Sequence, residues 1–283
     1  MSEAATYGAD MALLAMPQPY DFALSTERFR TFGPDLANLW HVLPEKGGGL
    51  HRVVGGREVR IEPAPGGVDV EPLDETTRPV LERVLGLPFD LATFEEFSRA
   101  DGVLARIVPR LAGFRPPLAP DPFEALVTSI TAQQVSLFAA FAIRNRLIER
   151  YGARGVHAFA FPPRETLARA EPAELVALGF SRRKAEYVVD LARGDLDLAE
   201  LATLDDDDVR ARIVAQRGLG EWTAEWFLAR HLGRPRAWPA GDLGLRKAVA
   251  SFYGEEDVRA VGARLDPFQN LAAHYLLTGH RVL

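Results

Sequence analysis

The hydrophobic pattern of this 283-residue chain changes its period once, near residue 75. Before that point, short apolar runs at residues 50–54 and 58–61 flank a Gly-Gly pair, and residues 68–70 follow a Pro- and Gly-rich segment at 63–67. Such runs predict a small antiparallel meander. Beyond residue 75, apolar residues recur with helical spacing to the C-terminus.

The change of period predicts two domains. We expect an α+β domain with a small antiparallel sheet over residues 1–75 and an all-α domain over residues 76–283, whose last helices can close back on the first domain. Within the helical part, four prolines at residues 116–122 predict an extended connection. Asp121 is placed to cap the helix that begins after it.

Composition excludes several kinds of site. The chain has no cysteine, which excludes disulfides, thiolate zinc sites, iron–sulfur clusters and cysteine nucleophiles. It has no run of about 18 apolar residues and no secretory pattern at its N-terminus, so we expect a cytoplasmic, nucleoid-associated protein without membrane contact. The net charge of −6 and the pI of about 5.6 mean that any contact with DNA must be local.

Two similar segments, GFSRRKA at residues 179–185 and GLGEWTA at 218–224, each predict a helix, a tight turn and a second helix. In the second segment, Gly218 and Gly220 flank Leu219. The Leu219 side chain would pack into the core and so anchor a narrow hairpin there. Amides at such an apex, and at the helix that follows, can hold a phosphate. For the first segment, an ordinary helix C-terminus is an equal explanation.

A second motif, WPAGDLGLRK, occupies residues 238–247. Asp242 precedes a helix-like run and should lie at a helix N-terminus, where the dipole favours a carboxylate. By itself this position is also typical of a residue that only caps the helix.

The hairpin followed at this spacing by Gly241 and Asp242 resembles the helix-hairpin-helix (HhH-GPD) DNA glycosylases, and within them the AlkA type that acts on 3-methyladenine. The resemblance runs from residue 122 to about residue 253 and includes FEAL at 123–126 and QQVS at 133–136. The β-rich region is similar to the small TATA-binding-protein-like domain of that type. The resemblance implies base flipping and hydrolysis of the N-glycosidic bond, the first step of base excision repair.

The resemblance also implies the reaction type. Asp242 corresponds to the catalytic carboxylate, an anion that stabilises oxocarbenium character on the sugar and orients or deprotonates a water. Trp222 stands where strand-cutting relatives carry a nucleophilic lysine. The chain has lysine only at Lys46, Lys184 and Lys247. We therefore expect a monofunctional glycosylase without lyase activity.

The base pocket is predicted from two places in the chain. Trp222 is either a core aromatic or a pocket wall, and we favour the wall because an indole stacks well on a cationic alkylated purine. The position of a second pocket tryptophan in similar enzymes falls on Leu277, with Tyr275 close by, so we expect a less aromatic or more open pocket.

DNA contacts are implied at several positions. Gln134 corresponds to the side chain that fills the gap left by the flipped base, although Gln133 and Gln134 can instead only end a helix before Ser136. The expected phosphate contacts are the amides of Gly218, Gly220 and Thr223 and the side chains of Arg246 and Lys247.

Three further expectations concern charge and ions. Hairpins of this type often hold a monovalent cation, Na⁺ or K⁺, and the resemblance places its ligands at the carbonyls of Val214, Gln216 and Leu219; no other cofactor is expected. Arg182, Arg183 and Lys184 of the first segment are either a second phosphate patch or solvated surface charge. The acidic run at residues 205–208 should stabilise a helix N-terminus.

Two other classes of function compete with this interpretation. A non-catalytic helix-hairpin-helix module explains the hairpins but not the Asp242 motif, and a small-molecule enzyme lacks the nucleotide-loop, hydrolase and metal motifs it would need. The histidines, at positions 41, 51, 157, 231, 274 and 280, are too scattered in sequence to suggest a site. We expect the chain to act as a monomer on double-stranded DNA that contains damaged bases, without an obligate protein partner.

Overall fold

The N-terminal part of the computed structural model, which describes residues 11–254 and 257–283, is built on a five-stranded antiparallel sheet. Its strand order is β1-β5-β4-β3-β2. The strands are β1 (Ala12–Ala15), β2 (Leu39–His41), β3 (Gly49–Val54), β4 (Arg57–Ala64) and β5 (Gly67–Glu71).

The predicted meander is confirmed in β3, β4 and β5. Gly55 and Gly56 have φ values of +56° and +76°, as a tight two-residue hairpin turn requires. Strand β4 runs on to Ala64, so the loop predicted at 63–67 is reduced to a turn at Pro65 and Gly66. Strands β1 and β2 were not predicted, because runs of four and three residues carry little periodicity.

Beyond the sheet, the regular elements of the described chain are helices, as the pattern predicts; two short helices at residues 22–31, inside the β-rich region, were not predicted. The helices are α1 (Phe22–Ser25), α2 (Arg28–Thr31), α3 (Thr77–Val84), α4 (Leu91–Ser98), α5 (Leu104–Ile107), α6 (Pro122–Ala132), α7 (Leu137–Tyr151), α8 (Arg164–Ala168), α9 (Pro172–Ala177), α10 (Arg182–Arg193), α11 (Asp206–Val214), α12 (Glu221–Phe227), α13 (Leu243–Tyr253), α14 (Val258–Arg264) and α15 (Gln269–Val282). A π-helical turn, Leu228–Leu232, continues α12. Within the described ranges, no helix is both long and apolar enough to cross a membrane.

Both predicted helix caps are confirmed. The Asp121 carboxylate accepts the amide of Glu124 at 2.7 Å at the start of α6, and the Asp205 carboxylate accepts the amide of Asp208 at 2.9 Å at the start of α11. Each carboxylate satisfies an amide that has no partner within the helix.

The hydrophobic core divides into a sheet core and a larger helical core. Leu81 and Val84 of α3 belong to the sheet core, so that core continues past the last strand into the first long helix. The domain boundary near residue 75 stays a prediction. At the other end of the chain, Arg281 of α15 forms an ion pair with Glu27, so the last helix contacts the N-terminal part.

A buried ionic network joins the sheet to the helices. Arg52 of β3 donates to Glu124 of α6 at 2.7 Å, and Arg144 of α7 donates to the other oxygen of the same carboxylate at 2.7 Å. Arg144 also pairs with Asp35. All four residues are buried, and two cations face two anions, so the charges are balanced without water.

Candidate active site

Asp242 is the N-cap of α13. Its Oδ1 accepts the amide of Leu245 at 2.9 Å, and its backbone lies in the extended region, with φ −74° and ψ 126°. Its own amide donates to the carbonyl of Pro239 at 2.8 Å, which closes a tight turn in the Gly- and Pro-containing loop. The predicted position at a helix N-terminus is confirmed, and the side chain remains partly exposed.

Two indoles hold the other oxygen of this carboxylate. Trp222 and Trp226 lie one turn apart on α12, and the Nε1 of each donates to Asp242 Oδ2 at 3.1 Å. With Leu245, three N–H groups donate to a carboxylate that offers about four acceptor positions. The remaining position is on Oδ1, and the carboxylate is fixed from two directions.

Sequence reasoning missed Trp226 and Arg230. The guanidinium carbon of Arg230 lies 3.9 Å from the centroid of the Trp226 ring. Burial lowers the pKa of Arg230 well below its usual value, Arg28 acts in the same direction, and the negative charge of Asp242 opposes both. The signal was present, because residues 222, 226 and 230 are spaced by four and share one face of a helix.

Leu277 is the second predicted pocket residue that lies beside Asp242. A Cβ atom at Gly244 would stand 3.0 Å from Asp242 Oδ1 and 3.3 Å from Leu277 Cδ2. The absence of a side chain at Gly244 therefore leaves the open side of the carboxylate unobstructed, with Leu277 of α15 next to it.

Tyr275 does not line this site, which corrects the prediction. Its ring is 1% exposed and packs between Phe94 and Phe114, and its hydroxyl donates to the carbonyl of Phe114 at 2.9 Å. Residues two apart on a helix point in different directions, so Leu277 can reach the site while Tyr275 belongs to the core.

The second hairpin has the predicted geometry. Gly218 has a φ of +81°, and a Cβ there would come within 2.2 Å of the Tyr187 ring on α10. Leu219 is 5% exposed and packs into the helical core. Glycine is therefore needed at residue 218 for both its backbone conformation and its close contact.

The amides of the hairpin are only partly available. Within the described ranges, the amides of Gly218 and Gly220 donate to no protein acceptor, which fits their predicted phosphate role. The amide of Thr223 instead donates to the carbonyl of Gly220 at 2.9 Å, and its side chain is 1% exposed. Thr223 is thus used inside the helix, which corrects its predicted DNA contact.

The segment between α6 and α7 lies against this hairpin. Gln133 Nε2 donates to the carbonyl of Gly218 at 3.0 Å, a contact that the sequence did not predict. Gln134 is exposed with a φ of +54°, the only positive value at a non-glycine residue in the described chain. Leu137 and Phe138 beside it are 45% and 63% exposed. An exposed apolar surface thus surrounds the predicted wedge.

The first hairpin offers two exposed arginines but not its lysine as candidate phosphate contacts. Lys184 is buried, and its Nζ donates to the carbonyl of Thr131 at 3.0 Å near the end of α6, so it is removed from the candidate phosphate patch. Arg182 pairs with Glu186 at 3.3 Å on the surface. Arg183 is exposed, and its role stays a prediction.

The remaining predicted contacts lie near the loop that carries Asp242. Arg246 and Lys247 are exposed on the first turns of α13. Arg246 also lines an open groove of about 380 Å³ beside the loop, together with Ala240, Gly241, Asp257, Val258 and Arg259. Asp242 is not part of that groove, so the groove fits a backbone contact better than a base.

The three residues whose carbonyls are predicted to bind a cation lie at the end of α11 and in the loop before α12. Val214 ends α11, and the carbonyl of Gln216 accepts the amide of Leu219 at 3.1 Å. A carbonyl oxygen has a second lone pair, so this bond leaves Gln216 able to coordinate an ion. The cation site stays a prediction.

Comparisons with known proteins agree with this geometry. Residues 127–265 match the family model of HhH-GPD superfamily base excision DNA repair proteins. A DNA-3-methyladenine glycosylase of Bacillus subtilis is 31% identical over 201 residues, which are 66% of this chain and 66% of that protein. The chain therefore spans just under two thirds of the length of this curated relative.

Two solved structures are also similar to this chain. The 3-methyladenine DNA-glycosylase from Archaeoglobus fulgidus has a TM-score of 0.83 and 27% identity, over 96% of this chain and 99% of that chain. A DNA-3-methyladenine glycosidase from Bacillus halodurans is 31% identical, with a TM-score of 0.52, over 65% of this chain and 88% of that one. The predicted fold class, a small sheet domain followed by an all-α helix-hairpin-helix domain, is confirmed.

Proposed function

We propose, from the premise that this chain belongs to the HhH-GPD superfamily of base excision DNA repair proteins, that it removes alkylated bases of the 3-methyladenine type from duplex DNA. The observation that carries the proposal is the carboxylate of Asp242, held by two indole N–H groups beside the hairpin. The names of its relatives support the same activity.

In this proposal Asp242 acts as a fixed anion. Breaking an N-glycosidic bond develops positive charge on the sugar, and a preorganised carboxylate stabilises that charge without reorganising during the reaction. The three donors hold the carboxylate in place, and the free position on Oδ1 can accept a proton or a hydrogen bond from the attacking water.

Substrate selection follows from the walls of the site. Trp222 is half-buried and offers part of an electron-rich ring beside Asp242. A cationic alkylated purine is attracted to such a ring, and its glycosidic bond is already weakened. Leu277 supplies an aliphatic surface instead of a second aromatic ring, so stacking on the base from that side should be weaker.

The absence of a lyase step follows from the lysines. Trp222 occupies the hairpin position of the nucleophile, and the Nζ of Lys184 is committed to the carbonyl of Thr131. Lys247 lies exposed on α13 and suits a phosphate contact. We therefore propose that the enzyme is monofunctional and leaves an intact abasic strand.

We propose that the protein contacts DNA through only a few groups. Gln134 would enter the gap left by the flipped base, while the amides of Gly218 and Gly220 and the side chains of Arg246 and Lys247 would hold phosphates. Because few phosphates are neutralised, binding should depend on salt with a log–log slope clearly shallower than about −10.

A monovalent cation at the carbonyls of Val214, Gln216 and Leu219 is a further part of the proposal. A cation there would rigidify the hairpin and add positive charge near a phosphate. Affinity for duplex DNA measured at equal ionic strength in sodium, potassium and tetramethylammonium salts tests it. Equal affinity in all three salts would remove the cation from the proposal.

The decisive experiment is single-turnover base release from methylated duplex DNA, with wild type compared with Asp242→Asn. The amide keeps the helix cap but loses the negative charge, so we expect retained DNA affinity and a loss of at least ~3 kcal/mol of transition-state stabilisation, roughly a hundredfold in rate. Asp205→Asn is the matched control, because Asp205 caps α11 in the same way, away from the site.

Treatment of the products with and without alkali tests the reaction type. Strand breaks that appear only after alkali indicate a monofunctional glycosylase, and breaks without alkali would contradict that assignment. If Asp242→Asn releases bases as fast as wild type, Asp242 is not the catalytic group. If wild type binds duplex DNA but releases no alkylated base, the chain is a binding module.

A further inference from the structure

Three side chains from two distant parts of the sequence converge beside the sheet. His51 lies on β3, Glu58 on β4 and His157 in the segment between α7 and α8. Their ligand atoms all lie within 4.8 Å of one another. The histidines are scattered in sequence, but the structure brings His51 and His157 together.

The register of the sheet explains why His51 and Glu58 lie close together. Glu58 pairs with Val53 across the β3–β4 ladder, and His51 is two residues from Val53 on the same face. The side chains of His51 and Glu58 are thus diagonal neighbours, and His51 Nδ1 lies 2.8 Å from Glu58 Oε1.

Glu58 also brings in the third residue. Its Oε2 accepts the amides of His157 at 2.7 Å and Ala158 at 3.1 Å, which fixes this segment of the helical part against the sheet. His157 Nδ1 then lies 2.8 Å from Glu58 Oε1, and the two imidazole rings are tilted by 35° with their centroids 4.4 Å apart. Both Nδ1 atoms therefore approach the same carboxylate oxygen.

Burial separates this cluster from ordinary surface charge. His51 is 5% exposed, and its Nδ1 has no partner in hydrogen-bonding geometry despite the short distance to Glu58. Buried polar atoms are normally satisfied, so an unsatisfied one points to an absent ligand. The His157 side chain is 46% exposed, which leaves a path from solvent to the cluster.

We propose that His51 Nδ1, Glu58 Oε1 and His157 Nδ1 bind one Zn²⁺ ion, with water in the fourth position. Two imidazoles and a carboxylate are a common ligand set for zinc. Bonds of about 2.0–2.1 Å at tetrahedral angles separate ligand atoms by about 3.3 Å, so on binding zinc both Nδ1 atoms, now 2.8 Å from Glu58 Oε1, would move outward by about half an ångström. Such an ion would connect the helical part to the sheet, away from Asp242, so its role would be structural.

Zinc titration of the full chain, freed of metal by a chelator and followed by competition with a chromophoric chelator, tests the site. We expect one zinc per chain and a rise in the thermal midpoint on zinc addition. The variant His157→Gln removes the most exposed ligand, so it should fold and bind zinc at least ~100-fold more weakly. The matched control is His280→Gln, which removes an exposed histidine on α15 and should bind zinc like wild type.

Two outcomes of the zinc titration and one of the thermal melting would overturn the proposal. One is a stoichiometry clearly below one zinc ion per chain in the wild-type protein. The other is equal zinc affinity in wild type and His157→Gln, which would mean that the zinc binds elsewhere. If His157→Gln lowers the thermal midpoint equally with and without zinc, the cluster stabilises the fold only through the hydrogen bonds between His157 and Glu58.

Discussion

At the scale of single residues, Asp242 combines two roles that the sequence presented as alternatives. Its Oδ1 caps α13 through the amide of Leu245, and its Oδ2 accepts the indoles of Trp222 and Trp226. The cap orients the carboxylate, and the indoles hold it toward α12. A capping role therefore does not argue against catalysis, because different oxygens perform the two tasks.

Gly244→Ala should separate activity from stability. The new Cβ would stand 3.0 Å from Asp242 Oδ1 and crowd its free acceptor position. Alanine favours a helix over glycine by about 1 kcal/mol, so the thermal midpoint should stay or rise. We expect base release to fall by at least ~10-fold, the cost of displacing a positioned catalytic group.

The control for this variant is Gly102→Ala, because a Cβ at Gly102 meets nothing within 4 Å. Single-turnover rates and thermal melting are measured for both variants. An unchanged rate in Gly244→Ala would mean that the open side of the carboxylate is not used in the reaction.

At the scale of elements, the two glycines of the second hairpin have different tasks. Gly218 adopts a φ of +81° and lies against the Tyr187 ring, while Gly220 has an extended backbone and open space around it. The bond from Gln133 to the carbonyl of Gly218 then links the hairpin to the end of α6. The wedge segment and the phosphate-binding hairpin are thus mechanically connected.

Gly218→Ala should destabilise the protein by at least ~2 kcal/mol. The left-handed conformation alone costs an L-residue about 1–2 kcal/mol, and the contact at 2.2 Å with Tyr187 forces the hairpin to move. Urea denaturation measures the effect.

Gly220→Ala is the matched control and should change the free energy of unfolding by no more than about 0.5 kcal/mol. Equal effects of the two substitutions would contradict the geometry of the hairpin. DNA affinity should fall in Gly218→Ala even when it is compared with wild type at the same concentration of folded protein, because the substitution moves the amide of residue 218.

At the scale of the whole molecule, the sheet and the helices are joined by buried polar groups as well as by apolar packing. Glu124 accepts from both Arg52 and Arg144, one on the sheet and one on α7. Loss of the Glu124 charge would leave Arg52 buried without a carboxylate partner and Arg144 with Asp35 alone, so the network favours one geometry of the sheet and the helices.

Glu124→Gln should therefore cost on the order of 3 kcal/mol of unfolding free energy. Glu82→Gln is the control: Glu82 pairs with Arg78 at 3.8 Å on the surface, and such pairs contribute only about 0–1 kcal/mol. Urea denaturation measures the free energy of unfolding of both variants. A loss below about 1 kcal/mol in Glu124→Gln would mean that the network contributes little to stability.

Acid should destabilise the fold through buried histidine. Burial lowers the pKa of His231 from 6.5 to about 4, while its ring bonds to the carbonyl of Ala119. Between these values the unfolded chain binds more protons than the native one. The contribution of His231 is therefore complete above about pH 6.5 and is lost as the pH falls toward 4, by about 2 kcal/mol between pH 7.5 and 5.

Urea denaturation at pH 7.5 and 5, with a chelator present, measures this effect. His231→Gln should lose less stability than wild type over this interval, whatever its stability at pH 7.5. His280→Gln, at an exposed position, should behave like wild type. The same pH dependence in His231→Gln and wild type would assign the acid sensitivity to other groups.

The sequence by itself determined part of the local structure of this protein. The strands β3 to β5, the caps at Asp121, Asp205 and Asp242, and the hairpin at Gly218 all follow from a few neighbouring residues. Backbone preferences and capping bonds act within one turn or one hairpin, so their signals are complete in a short stretch of sequence.

Only the tertiary structure decided which distant side chains meet. In the tertiary structure, Tyr275 lies in the core and Leu277 lies beside Asp242. The Nζ of Lys184 is buried against α6, and the rings of His51 and His157 are in contact. These contacts depend on how helices and strands pack around a shared core, because the rotation of each helix about its axis decides which of its side chains face the core. No short stretch of sequence contains that information.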